Sequence, residues 1–208
     1  MSDVRTPLPA PAAVPAHADE PPHAARPPQT ARPPHADSAA VAPGSGPDAA
    51  ELLAFALRTA ADTALVAALP LDPEGRTWLR LDGPGGSEAW LIAWPPGAGT
   101  GWHDHGGSRG AFATAQGELT EQSLAARLPG EGWKTLELAD GLDRTRRLPD
   151  GRGRAFGPHH VHQVFNASAE RHAISVHAYY PPLPLMRRYS RTGPVLRLEQ
   201  VELPEEWA

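Results

Sequence analysis

The sequence predicts an all-β domain, a small barrel or sandwich, entered through one helix and preceded by a disordered tail. Three observations carry this. Residues 1–48 hold twelve prolines and no Ile, Phe, Trp or Tyr. Residues 51–69 (ELLAFALRTAADTALVAAL) are rich in strong helix formers and stop at Pro70. From residue 76 the chain turns into short strand-like segments separated by Gly and Pro. The 208 residues, 40% of them apolar, suffice for one sizeable core.

The elements follow in order. Residues 1–48 cannot bury enough apolar surface to offset the entropy of ordering, so they read as a Pro/Ala tail with polyproline II character. His17, His23 and His35 fall in it and read as solvated. The folded domain is expected over 49–208. Asp48 with Glu51 three residues later has capping-box spacing and starts the helix. RTWLRLD (76–82) and EAWLIAW (88–94) read as strands joined by Gly83-Pro84-Gly85-Gly86. Further strands are expected over 100–105, 110–119, 121–128, 133–138, 144–148, 161–166 and 172–180. Many short strands at this spacing are the pattern of an antiparallel barrel or sandwich. Tyr180-Pro181-Pro182 predicts a rigid turn, with a cis bond at Tyr180–Pro181.

Composition narrows the function. The net charge of −5 gives no basic surplus for nucleic acid or an anionic membrane. With no Cys, disulfides, thiolate metal sites and thiol nucleophiles are excluded. No apolar run approaches the ~18 residues of a membrane span. The first 30 residues lack an apolar signal core. A cytoplasmic monomer acting on small molecules, without nucleic-acid or membrane partners, is the expectation.

The histidines carry the chemistry. On a strand, His103 and His105 project from one face and Asp104 from the other. Two imidazoles so placed can converge on one cation, although an isolated H-x-H also occurs on ordinary strands. Ser175, His177 and Tyr179 also alternate on one strand, which permits a hydrogen-bonded relay that orients the tyrosine hydroxyl. An internal, satisfied histidine is the bland alternative. Neutral imidazole suits Fe(II), Zn(II), Cu(II) and Ni(II) alike.

Gly97, His103, His105 and Gly117 resemble the first cupin motif, G-x5-H-x-H-x(3,4)-E-x6-G. The acidic ligand position is Gly110 here. His162-Gln-Val-Phe-Asn166 resembles the H-x3-N end of the second motif. His160 competes with His162, and Asn166 at motif spacing favours His162. A set of three histidines without the carboxylate resembles the thiol dioxygenases, typified by cysteine dioxygenase. Ser108 and Gly110 after the H-D-H run, and S-x-H-x-Y-x-P over 175–181, extend that resemblance. It implies a cupin-type jelly-roll barrel that holds Fe(II) through His103, His105 and His162. It implies dioxygenation of a small thiol by O2, with L-cysteine the first choice and 3-mercaptopropionate the second. Tyr179 would contact substrate and oxygen, supported by His177 and Ser175. Arg80 would hold the substrate carboxylate, with Arg76 a close competitor and Arg109, Arg187 and Arg188 further ones. Eukaryotic members cross-link the tyrosine to a Cys, at the position where this chain has Gly110, so no such link can form. A non-catalytic cupin, or a Zn or Ni cupin, are the rival readings.

Overall fold

The computed structural model describes residues 46–129 and 132–206. The expected tail lies outside the described residues, apart from Gly46-Pro47-Asp48. Those three already belong to the domain. Arg109 donates to the carbonyls of Pro47 (2.7 Å) and Gly46 (3.2 Å). Gly46 lies so close to the Tyr180 ring that a Cβ there would overlap it.

Two helices open the domain where one was expected. Helix α1 spans Ala49–Ala60, and its capping box forms as predicted, with Asp48 and Glu51 exchanging hydrogen bonds of 2.7 and 2.8 Å. Helix α2 spans Thr63–Ala68. The break is at Asp62, whose carboxylate captures the Ala64 and Leu65 amides and so starts a second helix.

Twelve strands follow: β1 (Thr77–Asp82), β2 (Glu88–Trp94), β3 (Trp102–Asp104), β4 (Arg109–Gln116), β5 (Glu118–Leu124), β6 (Thr135–Glu137), β7 (Asp143–Pro149), β8 (Gly153–Phe156), β9 (His162–Phe165), β10 (Ala173–Tyr180), β11 (Met186–Thr192) and β12 (Val195–Glu202). They form two antiparallel sheets, in the orders β1-β2-β10-β4-β8 and β6-β12-β11-β3-β9-β5-β7. The fold is a small cupin-type jelly-roll barrel with N-terminal helices. Gly117, at φ +77°, is the turn from β4 into β5, so strand pairing resumes at Glu118 and not at 121. Strand β8 and the β11–β12 hairpin were not anticipated. Strand β8 is only four residues long, and β11 carries three Arg in seven residues, which weakens its apolar signal.

Strand β10 is the central element. All eight of its residues are buried. Ile174, Val176 and Ala178 pack outward, against a layer that includes Ala56 and Ala60 of α1, Val66 of α2 and Leu52. Ser175, His177 and Tyr179 alternate with them and face the barrel interior, where Trp94, Phe112, Phe156 and Val164 meet from both sheets. The helices thus bury one face of the strand and leave the other for chemistry. The Tyr180–Pro181 peptide is cis, as the sequence suggested.

Replacing Asp48 by Ala removes the cap that starts α1. It should cost about 1 kcal/mol, read as a lower urea midpoint at unchanged m-value.

Candidate metal centre

Strand pairing builds the centre. His103 on β3 lies directly opposite His162 on β9. His105 follows β3 by one residue and turns inward with them. The three ring centroids stand 4.7–5.0 Å apart. One ring nitrogen from each lies within 4.8 Å of the other two. All three side chains are buried. Asp104 points the opposite way, as expected, and accepts from the Tyr189 hydroxyl (2.7 Å) and the Gly106 amide (2.9 Å).

The hydrogen bonds leave the converging nitrogens free. His103 Nδ1 donates to the Gly101 carbonyl at 3.0 Å. His162 Nδ1 donates to Glu121 Oε1 at 2.9 Å. In both rings the Nε2 lone pair therefore remains. Neither nitrogen of His105 has a hydrogen-bond partner among the described residues, although both are buried. A buried polar atom without a partner costs about 1–3 kcal/mol. Two in one ring, beside two further imidazole lone pairs, fit a bound cation. Burial, followed by the neighbouring His162 and Arg188 for His103 and by the other histidines for His105, drives both imidazoles well below their usual range. Burial also lowers His162 to about 4, against the opposing pull of the Glu121 hydrogen bond. All three are neutral at pH 7, the form that ligates metal.

His160 stands apart from this group. Its Nε2 donates to Glu121 Oε1 at 2.9 Å and its ring stacks on Phe156. Between the two candidates, His162 is the one whose ring faces His103 and His105. Glu121 itself was not anticipated. It is fully buried on β5, and Arg154 donates to its other oxygen. Burial alone would raise its carboxyl; the hydrogen bonds from His160 and His162, and the charge of Arg154, outweigh this and hold it ionised, well below the carboxylate range.

Beside the histidines lies the expected relay. Trp94 Nε1 donates to Ser175 Oγ (2.8 Å), Ser175 Oγ meets His177 Nε2 (2.9 Å), and His177 Nδ1 meets the Tyr179 hydroxyl (3.2 Å). The direction of the protons follows from Trp94, which can only donate. Ser175 accepts from it, and its own buried O–H has one partner to satisfy, His177 Nε2. His177 then carries its proton on Nδ1 and donates it to Tyr179. The Tyr179 O–H is left free to donate into the barrel. Burial lowers His177 to about 3, with the charges of His162 and Arg76 adding to it, so the ring stays neutral. Burial and the nearby Glu88 carboxylate raise Tyr179 above its usual value, so it stays protonated.

The arginines separate clearly. Trp78 and Arg80 of β1 lie opposite Ile92 and Trp90 of β2, and Arg76 immediately precedes β1. Arg80, the sequence choice, is exposed and stacks over Trp90 at 5.6 Å. Arg76 stacks over Trp94 at 5.2 Å, the same indole that bonds Ser175 and lies 5.9 Å from His177. Arg76, like Arg80, is exposed. Desolvation and the like charge of Arg188 lower its guanidinium somewhat. It has no hydrogen-bond partner among the described residues. Arg109 is engaged by Gly46 and Pro47, Arg187 by Asp104, and Arg188 by Glu202 and the Thr100 carbonyl.

Gly110 pairs with Tyr179 across β4 and β10 and with Phe156 across β4 and β8. A Cβ on Gly110 would stand 2.6 Å from the Phe156 ring and 2.9 Å from the Tyr179 ring. Phe156 occupies the space that a side chain at this position would need.

Comparison with known proteins shows the family. The family model for cysteine dioxygenase type I matches residues 45–192. The chain belongs to that family. It is therefore a member of a cupin-fold thiol dioxygenase family, an enzyme family acting on small molecules with O2. Among solved structures, oxalate oxidase in complex with glycolate is 21% identical with a TM-score of 0.40, covering 52% of each chain. A Thermus thermophilus protein is 19% identical with a TM-score of 0.41, over 56% of this chain and 94% of its own. A cupin superfamily protein from Desulfitobacterium hafniense is 10% identical with a TM-score of 0.39, over 55% and 84%. This chain thus spans about half the length of the oxalate oxidase chain it matches. No curated protein matches it. Among the described residues, no helix is long and apolar enough to cross a membrane.

Two outcomes are expected. Gly110→Cys should destabilise the fold by about 1–3 kcal/mol through overpacking, and Phe156→Leu in the same chain should restore part of the loss; chemical denaturation of the three proteins reads this. The second concerns acid. His177 and His162 bind protons in the unfolded chain near pH 6.5 but in the native one only near 3 and 4. Between those limits the unfolded state holds more protons, so stability falls as pH falls. The metal-free protein should melt at progressively lower temperature from pH 7 to pH 5, with a shallower slope in His177→Asn.

Proposed function

We propose that the chain is a non-haem Fe(II) thiol dioxygenase that oxidises L-cysteine with O2 to cysteine sulfinic acid. What carries the reading is the set of three buried imidazoles with free nitrogens, set beside a tyrosine whose hydroxyl is free to donate. In the reaction both oxygen atoms end on sulfur. The thiolate supplies all four electrons, so no external reductant is needed.

His103, His105 and His162 are the ligands in this proposal. Fe(II) bound there would supply open coordination positions for thiolate and dioxygen and a path for electrons between them. Three neutral ligands leave the ion's charge uncompensated, which favours an anionic sulfur. The chain's own groups do the rest. Arg76 takes the substrate carboxylate in place of Arg80, because its unpaired guanidinium lies against the indole that adjoins the relay. A guanidinium fork matches a carboxylate bidentately. Trp94 keeps Ser175 and His177 oriented, and His177 holds the Tyr179 hydroxyl so that its proton points at the substrate. Tyr179 stays protonated throughout the neutral range and acts as a hydrogen-bond donor.

The same arginine would hold 3-mercaptopropionate, which differs in lacking the ammonium group. Oxygen uptake by Fe(II)-loaded protein with each thiol is therefore the decisive assay. The expected result is one O2 consumed per cysteine sulfinate formed, identified by mass, with activity lost on chelation and restored by Fe(II) but not by Zn(II). Preference for 3-mercaptopropionate would keep the site and move the substrate. No uptake with either thiol at stoichiometric iron would overturn the enzyme reading in favour of a metal-binding cupin. Arg76→Ala should raise KM for cysteine about 10- to 100-fold, the worth of a charge-assisted pair. Arg80→Ala should change KM less than about twofold; the reverse ranking would return the role to Arg80.

A further inference from the structure

The acidic ligand of the general cupin motif is absent, its position being Gly110. A carboxylate is nevertheless present, one layer further out. We propose that Glu121 is the positioning residue of the metal centre: it fixes the His162 ring through Nδ1 and places one negative charge behind a ligand set that has none. The inference rests on the reading of His103, His105 and His162 as ligands.

The geometry is specific. Glu121 is fully buried on β5, where it shares the inward face with Leu119 and Ser123. Its Oε1 accepts from both His162 Nδ1 and His160 Nε2, each at 2.9 Å. Its Oε2 accepts from Arg154, and Arg146 stands 3.9 Å away. Arg154 also reaches Ser123 Oγ at 3.3 Å, directly across from His162 in the β5–β9 register. Glu121 lies in the seven-stranded sheet and Arg154 in the five-stranded one, on β8. The pair therefore ties the two sheets together at the point where His162 enters the barrel.

A metal-ligating imidazole bound through its second nitrogen to a carboxylate is held in one tautomer and orientation and is a stronger donor. Glu121 can do this for His162 alone, since His103 is bound to a neutral carbonyl and His105 to nothing among the described residues. In the second possible cluster, Glu121, His160 and His162, both carboxylate oxygens already accept hydrogen bonds, Oε1 from the two imidazoles and Oε2 from Arg154. That makes it a support for the first cluster and not a second cation site.

The test uses the full chain and Co(II), whose absorption reports ligand geometry. The variants are Glu121→Gln, the double variant E121Q/R154Q, which leaves no unpaired buried charge, and His160→Asn as a comparison. Wild type should bind one Co(II). Both Glu121 variants should bind it about 10- to 100-fold more weakly, and at saturating Co(II) their ligand-field bands should differ from those of wild type. Asn at 160 should leave affinity within about threefold. A purely structural role would lower the melting temperature but leave the saturated spectrum unchanged. Wild-type affinity and spectrum in the folded double variant would overturn the inference while leaving the metal centre intact. Two Co(II) per wild-type chain, with the second lost in His160→Asn, would overturn it by making Glu121 a ligand. No Co(II) uptake by wild type would instead overturn the ligand assignment itself, and this inference with it.

Discussion

Three imidazoles face one another inside a closed barrel, and the lone pairs that converge have no protein partner. Few arrangements are so unfavourable for a protein without a cation. All three rings are buried, and protonation would place like charges about 5 Å apart, ring to ring. The surrounding structure is arranged to keep the rings there. Pairing of β3 with β9 sets His103 against His162. Phe156 stacks on His105 at 4.9 Å and blocks its retreat. Gly101 and Glu121 hold the outer nitrogens of the other two. Stability spent on this cluster is recovered only by a ligand that binds the folded state.

The same economy governs β10. A strand buried on both faces normally reads as a continuous apolar run. Here the face under the helices is apolar and the inner face carries Ser175, His177 and Tyr179. Such polar residues are tolerated because every polar atom in the row is passed to a neighbour, from the Trp94 N–H through to the Tyr179 oxygen. Phe112 stacks on His177 within 9° of parallel and leaves the ring no other orientation. The helix cap at Asp48 matters to this site for the same reason: α1 is the lid over the outer face of the strand that carries the relay.

Much of this was legible in the sequence because it depends on local spacing. The i, i+2 histidines, the S-x-H-x-Y alternation and the capping box each follow from one element's geometry, and each forms as spaced. What was not legible depends on where elements meet. Arg76 immediately precedes β1 and Arg80 lies within it, about 13 Å further along at 3.3 Å per residue. Only the packing of the folded chain shows that the first stacks over Trp94 and the second over Trp90. Glu121 carried a usable signal, because it alternates with Leu119. The alternation shows only once the strand is taken to begin at Glu118, straight after the Gly117 turn. Strand β8 is too short, at four residues, to show a period, and the three Arg of β11 dilute its apolar signal.

The charges around the centre show a division of labour. The three imidazoles are neutral, so a divalent ion held among them would carry its full charge into a buried site. Glu121 offsets part of it from behind, and Arg154 in turn holds Glu121 ionised. On the open side the groups are mostly cationic: Arg76 is unpaired, while Arg188 is held by Glu202. Glu88 is the exception, and its oxygens are taken by Trp90 Nε1 and the Leu183 amide. The negative charges near the centre are thus each committed to the protein, while Arg76 has no hydrogen-bond partner among the described residues. A site so balanced favours an anion arriving from the open side.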